Sequence, residues 1–327
     1  MVLVVGGAGY VGSHVCHALR AASEPHLVLD NLEKGHRQAV EGSPLVVGDI
    51  RDPNTVKRVL AEHMPDTVMH FAACIEVGES VRDPAKYYWN NLYGVLVLLE
   101  AMREASVERF VFSSTAAVFG EPHYVPIDEN HPTCPTSPYG DTKLAVERML
   151  RAFDVAYGIR SVALRYFNAS GAQPGANIGE DHDPETHLIP RAILAALGRV
   201  PPLVVFGTDY DTPDGTCVRD YVHVSDLARA HLLALAHLRA DGPSRAFNLG
   251  GGEGRSVREV IESVERVSGR KVPHSFGDRR PGDPARLVAS SKLIQSELGW
   301  RPRFVDIDEI VSHAWVWHSA HPEGYRS

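Results

Sequence analysis

The stretch VLVVGGAGYVG, Val2 to Gly12, joins a strand, a tight turn and a helix start. Val2 to Val5 form an uninterrupted apolar run, as a parallel strand covered on both faces requires. Gly7, Gly9 and Gly12 follow at the spacing of a dinucleotide fingerprint, with Gly6 as an extra glycine at the turn. Glycines there let backbone N–H groups approach a pyrophosphate, which then sits at a helix N-terminus. A helical segment (Val11, Val15, Ala18, Leu19) leads to a second strand, HLVLD, ending in Asp30, 21 residues after Gly9. A carboxylate there accepts hydrogen bonds from the adenosine ribose and repels a 2′-phosphate, so the expectation is NAD rather than NADP.

The alternation continues with the apolar runs LVVGDI (45–50), TVMHFAA (67–73), RFVFSS (109–114) and SVALRYF (161–167), separated by helical stretches. Repeated units of this kind predict an α/β fold: a Rossmann-type, doubly wound parallel sheet with ligands at the carboxyl ends of its strands. The expected first domain is 1–165, with the chain returning to it around 216–240. Residues 166–327 form a smaller, mixed α/β substrate lobe. His70, inside an apolar run, is expected to be a satisfied core histidine. VRDYVHV reads as a strand before an Asp226-led helix. NLGGGEGRS reads as a strand–turn–helix connection with Ser256 as N-cap rather than as a second phosphate loop.

SPYGDTK, 137–143, opens a further helix, with Ser137 as N-cap and Pro138 in the first turn. Tyr139 and Lys143 stand four apart and share a face, and Ala145, Met149, Ala152, Phe153 and Ala156 suggest a buried stripe. A phenol ionises near pH 10, too high for a base at neutrality. A cation at ~4 Å and an effective dielectric of ~20 is worth about 4 kcal/mol before desolvation. Lys143 and a positive nicotinamide are therefore expected to lower the Tyr139 pKa toward neutrality, where a general base works best. Ser114 and Thr115, at the end of RFVFSST, offer a hydroxyl for the oxygen that exchanges the proton.

The net charge of −8 over 327 residues argues against a nucleic-acid or membrane-surface binder, which needs a basic face. Cys16, Cys74, Cys134 and Cys217 are dispersed, which favours free thiols in a reducing compartment over disulfides. His182 and His187 in HDPETH lack the helical spacing of a zinc motif, so no metal is expected. No run has the length of a membrane span and the N-terminus lacks the form of a signal peptide; the expected location is the cytoplasm.

The order glycine loop, Ser/Thr at a strand end, then Tyr-x-x-x-Lys resembles the short-chain dehydrogenase/reductase superfamily. GGAGYVGSH, LDNL, GDIRD, YYWNNLYG, FSSTAAVFGE, RYFNASGA, GEDHDPETHLIP, GTCVRDYVHVSDLA, RRPGDPA and SELGW follow one another through nearly the whole chain. In that order they resemble the UDP-glucose 4-epimerases of its extended branch. The resemblance implies Tyr139 as base, Lys143 as its electrostatic partner and ribose ligand, and Thr115 as proton relay. For NAD it implies Gly6, Gly9, Tyr10, Val11 and Gly12 at the pyrophosphate, Asp30 with Asn31 at the adenosine ribose, and Asp49 with Ile50 beside the adenine. Phe71, Ala72, Ala73 and Asn91 would surround the rest of it, with Ser113, Tyr166 and Phe167. For a UDP-sugar it implies Asn168, His187, Leu188, Val204, Phe206, Arg219, Arg280 and Asp283, with Leu287 near the position that limits bulk on the sugar.

The implied reaction interconverts UDP-galactose and UDP-glucose through a transient 4-keto sugar, with NAD tightly bound and regenerated each turnover. The N-acetylhexosamine pair is a further candidate substrate, and the implied assembly is a homodimer. Ile75 stands where some relatives carry Lys, and Phe119 where many have Tyr. A 4,6-dehydratase would need an acid and a base directly after Thr115, where Ala116 and Ala117 stand. A 4-epimerase of UDP-glucuronate or a UDP-pentose, and a non-catalytic NAD-sensing regulator, are the alternatives.

Overall fold

The computed structural model describes residues 1–280 and 283–325. Pro281 and Gly282, inside RRPGDPA, lie outside the described residues, as do Arg326 and Ser327. The first lobe carries β1 (Val2–Val5), α1 (Tyr10–Ala21), β2 (His26–Asp30), β3 (Leu45–Val47), α2 (Pro53–His63) and β4 (Thr67–His70). The chain continues through α3 (Val77–Arg82), α4 (Pro84–Tyr87), a π-helical turn at Tyr88–Tyr93 and α5 (Gly94–Glu104). Then come β5 (Arg109–Thr115), α6 (Pro138–Tyr157) and β6 (Arg160–Tyr166).

The smaller lobe begins with β7 (Asn168–Ser170), α7 (Leu188–Ala196) and β8 (Leu203–Phe206), followed by β9 (Val218–Arg219) and β10 (Tyr221–His223). Next are α8 (Val224–Arg239), β11 (Arg245–Leu249), β12 (Arg255–Ser256) and α9 (Val257–Ser268). The chain ends with β13 (His274–Gly277), β14 (Arg286–Leu287), α10 (Lys292–Leu298) and α11 (Ile307–Ala320).

One seven-stranded sheet, ordered β11-β6-β5-β4-β1-β2-β3 and parallel throughout, organises the fold. Both its faces are covered. Val2 and Val4 pack under α1 and α8, whereas Leu3 and Val5 pack under α2, α5 and α6. The strand order reverses between β1 and β4, and the crevice at the carboxyl ends of such a pair is where doubly wound sheets bind ligands. The return of the chain, read around 216–240, consists of α8 against α1 and then β11 beside β6 at 245–249. In the smaller lobe α7, α9 and α11 pack around Ile189, Ile193, Val260, Val264 and Ile310.

Several local expectations change. VRDYVHV is not one strand: β9 pairs with β12 and β14, whereas β10 pairs with β7. Asp220 makes the break. Its buried carboxylate accepts from the N–H groups of Gly251 (2.6 Å), Gly252 (3.3 Å) and Ala289 (3.0 Å). NLGGGEGRS therefore spends its N–H groups on an internal acid, and Ser256 caps α9 through a capping box with Glu259. The helix after 223 starts at Val224, and the buried Asp226 instead accepts from the N–H groups of Arg303 and Phe304.

On α6 the buried stripe is Lys143, Val146, Glu147, Leu150 and Phe153, while Ala152 and Ala156 are exposed. A rule that places only apolar residues inside cannot find a stripe containing two charged residues with internal partners. His70 is buried as expected, and its ring nitrogens find no side-chain partner among the described residues. It lies against Phe110 and Phe112, and burial lowers its pKa to about 3.

Candidate active site

At the end of β1 the backbone turns through Gly6, φ +74°, in the left-handed region. A Cβ on Gly6 would stand 2.3 Å from the Ala72 nitrogen, and one on Gly12 would stand 2.4 Å from the Gly6 carbonyl oxygen. No larger residue fits either place, because β1 and β4 end against each other and α1 starts on the turn. The first N–H groups of α1, at Tyr10, Val11 and Gly12, have no intrahelical acceptor and are suited to a pyrophosphate. The Tyr10 hydroxyl donates to the Gly171 carbonyl at 2.6 Å, tying this turn to the segment after β7.

Asp30 closes β2. Its carboxylate accepts from Ala8 N (2.9 Å) and Leu32 N (2.8 Å), and burial raises its pKa. A carboxylate has further lone pairs, so ribose hydroxyls can still be received. Asn31 donates to Asp49 at 3.1 Å. Arg51 grips Asp49 at 2.9 and 2.5 Å and holds its pKa down to about 2. Ile50 is buried against Gly94.

After β4, the Phe71 ring turns away to pack on His231 (centroids 4.8 Å), so this segment, with Ala72 and Ala73, can offer the crevice only its main chain at Phe71. Asn91 sits in the π-helical turn, fully buried. It accepts from Cys74 N (2.8 Å) and donates to Cys74 O (3.0 Å) and to Thr142 (3.3 Å). It thereby clamps the segment after β4 onto α6. Ile75 is exposed. The pieces fit a dinucleotide: glycines where side chains cannot go, free helix-start N–H groups, and a buried acid at the ribose end.

The helix start is as read: Ser137 accepts from Gly140 N at 3.2 Å and Pro138 fills the first turn. Gly140 is required there because a Cβ would lie 2.5 Å from the Ala117 carbonyl oxygen. That contact brings Tyr139 to the end of β5. Burial pushes the Tyr139 pKa up, and the Thr115 hydroxyl partly offsets this. The expected lowering belongs to Lys143 together with a nicotinamide ring, and among the protein's own groups burial prevails. The Lys143 Nζ donates to the Ser113 carbonyl at 2.8 Å, lies 4.9 Å from the Phe112 ring centre, and is pushed down to about 7 by burial. The Tyr166 hydroxyl is in short contact with Ser113 Oγ, and burial raises its pKa.

Strand alternation separates the neighbouring hydroxyls. Ser113 and Thr115 belong to the Tyr139 side, and Thr115 also caps the following turn, accepting from Ala117 N at 3.1 Å. Ser114 points the other way and donates to Glu147 at 2.6 Å. Glu147 holds Arg165 with two hydrogen bonds, at 2.9 and 2.5 Å. This buried pair, one turn below Lys143, was not singled out from the sequence. Its only signal is an acid four residues after Lys143 on the helix face that carries the chemistry.

In the smaller lobe Asn168 donates to the Asp220 carbonyl at 3.0 Å. Arg219 contacts the Asp283 carboxylate, and the Arg280 guanidinium lies 4.0 Å from the Phe206 ring centre. Val204 and Phe206 share the outer face of β8. Leu287 is in register with Arg219 and packs with Phe167 against Val118, Phe119, Ile127 and Leu144, next to the Thr115 turn. The side chains of two expected substrate residues have partners within the lobe. His187 faces Glu180 (2.7 Å) and Glu185 (3.2 Å), and Leu188 joins the core of α7 and α9. All four cysteines are free, and among the described residues no helix is long and apolar enough to cross a membrane.

A profile of the NAD dependent epimerase/dehydratase family matches residues 2–250. The chain is 52% identical to the UDP-glucose 4-epimerase of Halalkalibacterium halodurans over 324 residues, 99% of this chain and 97% of that one. It superposes on the crystal structure of UDP-glucose 4-epimerase from Brucella ovis in complex with NAD with a TM-score of 0.94 at 50% identity, covering 96% and 97% of the two chains. The Stenotrophomonas maltophila UDP-glucose-4-epimerase, with bound NAD and formylated UDP-arabinopyranose, gives a TM-score of 0.94 at 40% identity, covering 98% of each chain.

Proposed function

The chain belongs to the NAD dependent epimerase/dehydratase family, and from that premise we infer that it is an NAD-dependent enzyme interconverting UDP-galactose and UDP-glucose. The observation that carries the chemistry is the group of Thr115, Tyr139 and Lys143 at the carboxyl end of β5, beside the strand-order reversal, with Thr115 and Lys143 buried and Tyr139 half-buried. NAD, when bound, supplies the hydride acceptor for sugar C4 and the hydride that returns to the opposite face. Tyr139 takes and returns the proton of the 4-hydroxyl, with Thr115 as relay. The chain's own groups keep the phenol protonated, so its basicity is set by the positive charge that binds against it. Lys143, anchored on the Ser113 carbonyl, holds the ribose end of that ligand in place.

Inversion needs the sugar to turn while its UDP stays fixed. Arg219 and Arg280 suit the diphosphate, since guanidinium groups bind paired oxygens and remote binding energy holds the ligand without fixing the reacting ring. Leu287, against the Thr115 turn, limits the space around the sugar. Elimination of water by an acid–base pair after Thr115 is excluded by Ala116 and Ala117, whose methyl groups can neither donate nor accept a proton. The UDP-sugar lobe is 166–222 together with 250–325, with α8 and β11 assigned to the NAD lobe. Four free thiols support a cytoplasmic location. The exposed apolar surface of α5 and α6 supports a homodimer. Incubation with UDP-galactose, UDP-N-acetylgalactosamine and UDP-glucuronate in separate reactions, followed by product separation, tests the reading. UDP-glucose must form from UDP-galactose; conversion of UDP-glucuronate alone would overturn it.

A further inference from the structure

We propose that Glu180, His182, Glu185 and His187 form a closed, four-ligand site for a divalent transition metal, with zinc as the ion that best matches the ligand set. The segment between β7 and α7 folds back so that Glu180 Oε1, His182 Nδ1, Glu185 Oε2 and His187 Nδ1 lie within 4.8 Å of one another. His187 Nδ1 and His182 Nδ1 lie 2.7 and 3.2 Å from Glu180 Oε1, and His182 Nδ1 lies 3.7 Å from Glu185 Oε2, while His187 Nδ1 is 3.2 Å from the other Glu185 oxygen. Metal–ligand bonds of 2.0–2.1 Å in a tetrahedron require donor separations of about 3.3 Å, in the middle of that range.

The facing atoms are buried, unlike those of a surface ion pair. None of those four facing atoms has a hydrogen-bond partner of acceptable geometry, although all are out of solvent. The remaining oxygen of Glu185 is already used, accepting from His187 N at 2.8 Å, which leaves Oε2 to bind through a single atom. Two imidazoles and two carboxylates favour zinc over calcium or magnesium, and the two negative charges neutralise the ion.

His182 and His187 alone lack the helical spacing of a zinc motif, but Glu180 and Glu185 lie within the same eight residues, and the fold of the segment brings all four together. The site has an entrance: Glu180, His182 and Glu185 line a cavity of about 220 Å³, together with His318 and His321. It also has a mechanical position. The Glu180 carbonyl accepts from Trp317 of α11 at 3.0 Å, and the Tyr10 ring at the glycine loop lies edge-on to His182, with centroids 6.2 Å apart. The ion would staple the segment entering α7 between α1 and α11, a structural role with no open coordination position.

The test needs no turnover, so its result is independent of the reaction assigned above. Purified full-length protein is stripped with a chelator, loaded with zinc or cobalt, gel-filtered and analysed for metal. The expected result is one ion per chain, an intense tetrahedral visible spectrum with cobalt, and a melting temperature several degrees higher with zinc than with chelator. His182→Ala and Glu185→Gln should each abolish retention. Fewer than about a tenth of an ion per chain, with a melting temperature indifferent to zinc and chelator, would leave a buried ion-pair cluster instead. Equal retention by folded His182→Ala would also overturn the proposal. If neither variant folds, the wild-type stoichiometry and cobalt spectrum decide.

Discussion

Tyr139 and Lys143 share one helix face, yet burial moves them in opposite senses, the phenol up and the ammonium down to about 7. Tyr139→Phe removes the hydroxyl and leaves the packing. Turnover should fall by about 10²–10⁴, with NAD content per chain, read from the absorbance of extracted cofactor, unchanged. Undiminished turnover would remove Tyr139 from the chemistry. Lys143 also makes a prediction about pH. Its folded pKa lies below the ordinary 10.5, so between about pH 7 and 10.5 the unfolded chain binds more protons, and stability rises with pH. Wild type should therefore gain on Lys143→Met by roughly 1–3 kcal/mol between pH 7 and 10, measured by urea denaturation. A flat difference would mean that Lys143 is solvated.

Elements are held at their ends by buried acids. Glu147 ties α6 to β5 through Ser114 and to β6 through Arg165. Glu147→Ala strands a buried guanidinium and should cost about 3–5 kcal/mol, whereas Glu147→Gln, which keeps the shape and two acceptor directions, should cost less. Equal losses in urea denaturation would indicate that shape rather than charge is held there. At the start of α9, Ser256→Ala breaks the capping box and should cost about 1 kcal/mol, read as a lower denaturation midpoint at unchanged slope.

Across the whole molecule, apolar side chains are exposed on and beside α5 and α6. Trp89, Leu96 and Tyr157 are exposed, and Val155 is 91% exposed. Of the stripe expected to be buried, Phe153 lies in the core and Ala145 and Met149 are half-buried, whereas Ala152 and Ala156 are exposed on the outside of α6. An apolar band on neighbouring helices is covered by a second copy in the proposed homodimer. Ala152→Arg places a charge in that band, and sedimentation equilibrium should show the mass fall from two chains to one. A single-chain mass for wild type would remove the dimer.

The sequence by itself determined what depends on near neighbours. β1, the glycine turn, α1 and β2 with Asp30 follow from apolar runs and glycine spacing, and Ser137, Pro138 and Tyr139 follow from helix-start chemistry. Fold class was legible for the same reason, since buried parallel strands alternate with helices at short range. Tertiary structure alone decided which long-range partner each polar group found. Ser114 went to Glu147 while Thr115 stayed with Tyr139, and Asp220 cut a strand by collecting N–H groups from 31 to 69 residues away. Lys143 donated to the Ser113 carbonyl, and two glutamates joined two histidines. Burial makes an unpaired polar group costly, so such groups take whichever partner the packing brings within reach, and packing is a property of the whole chain.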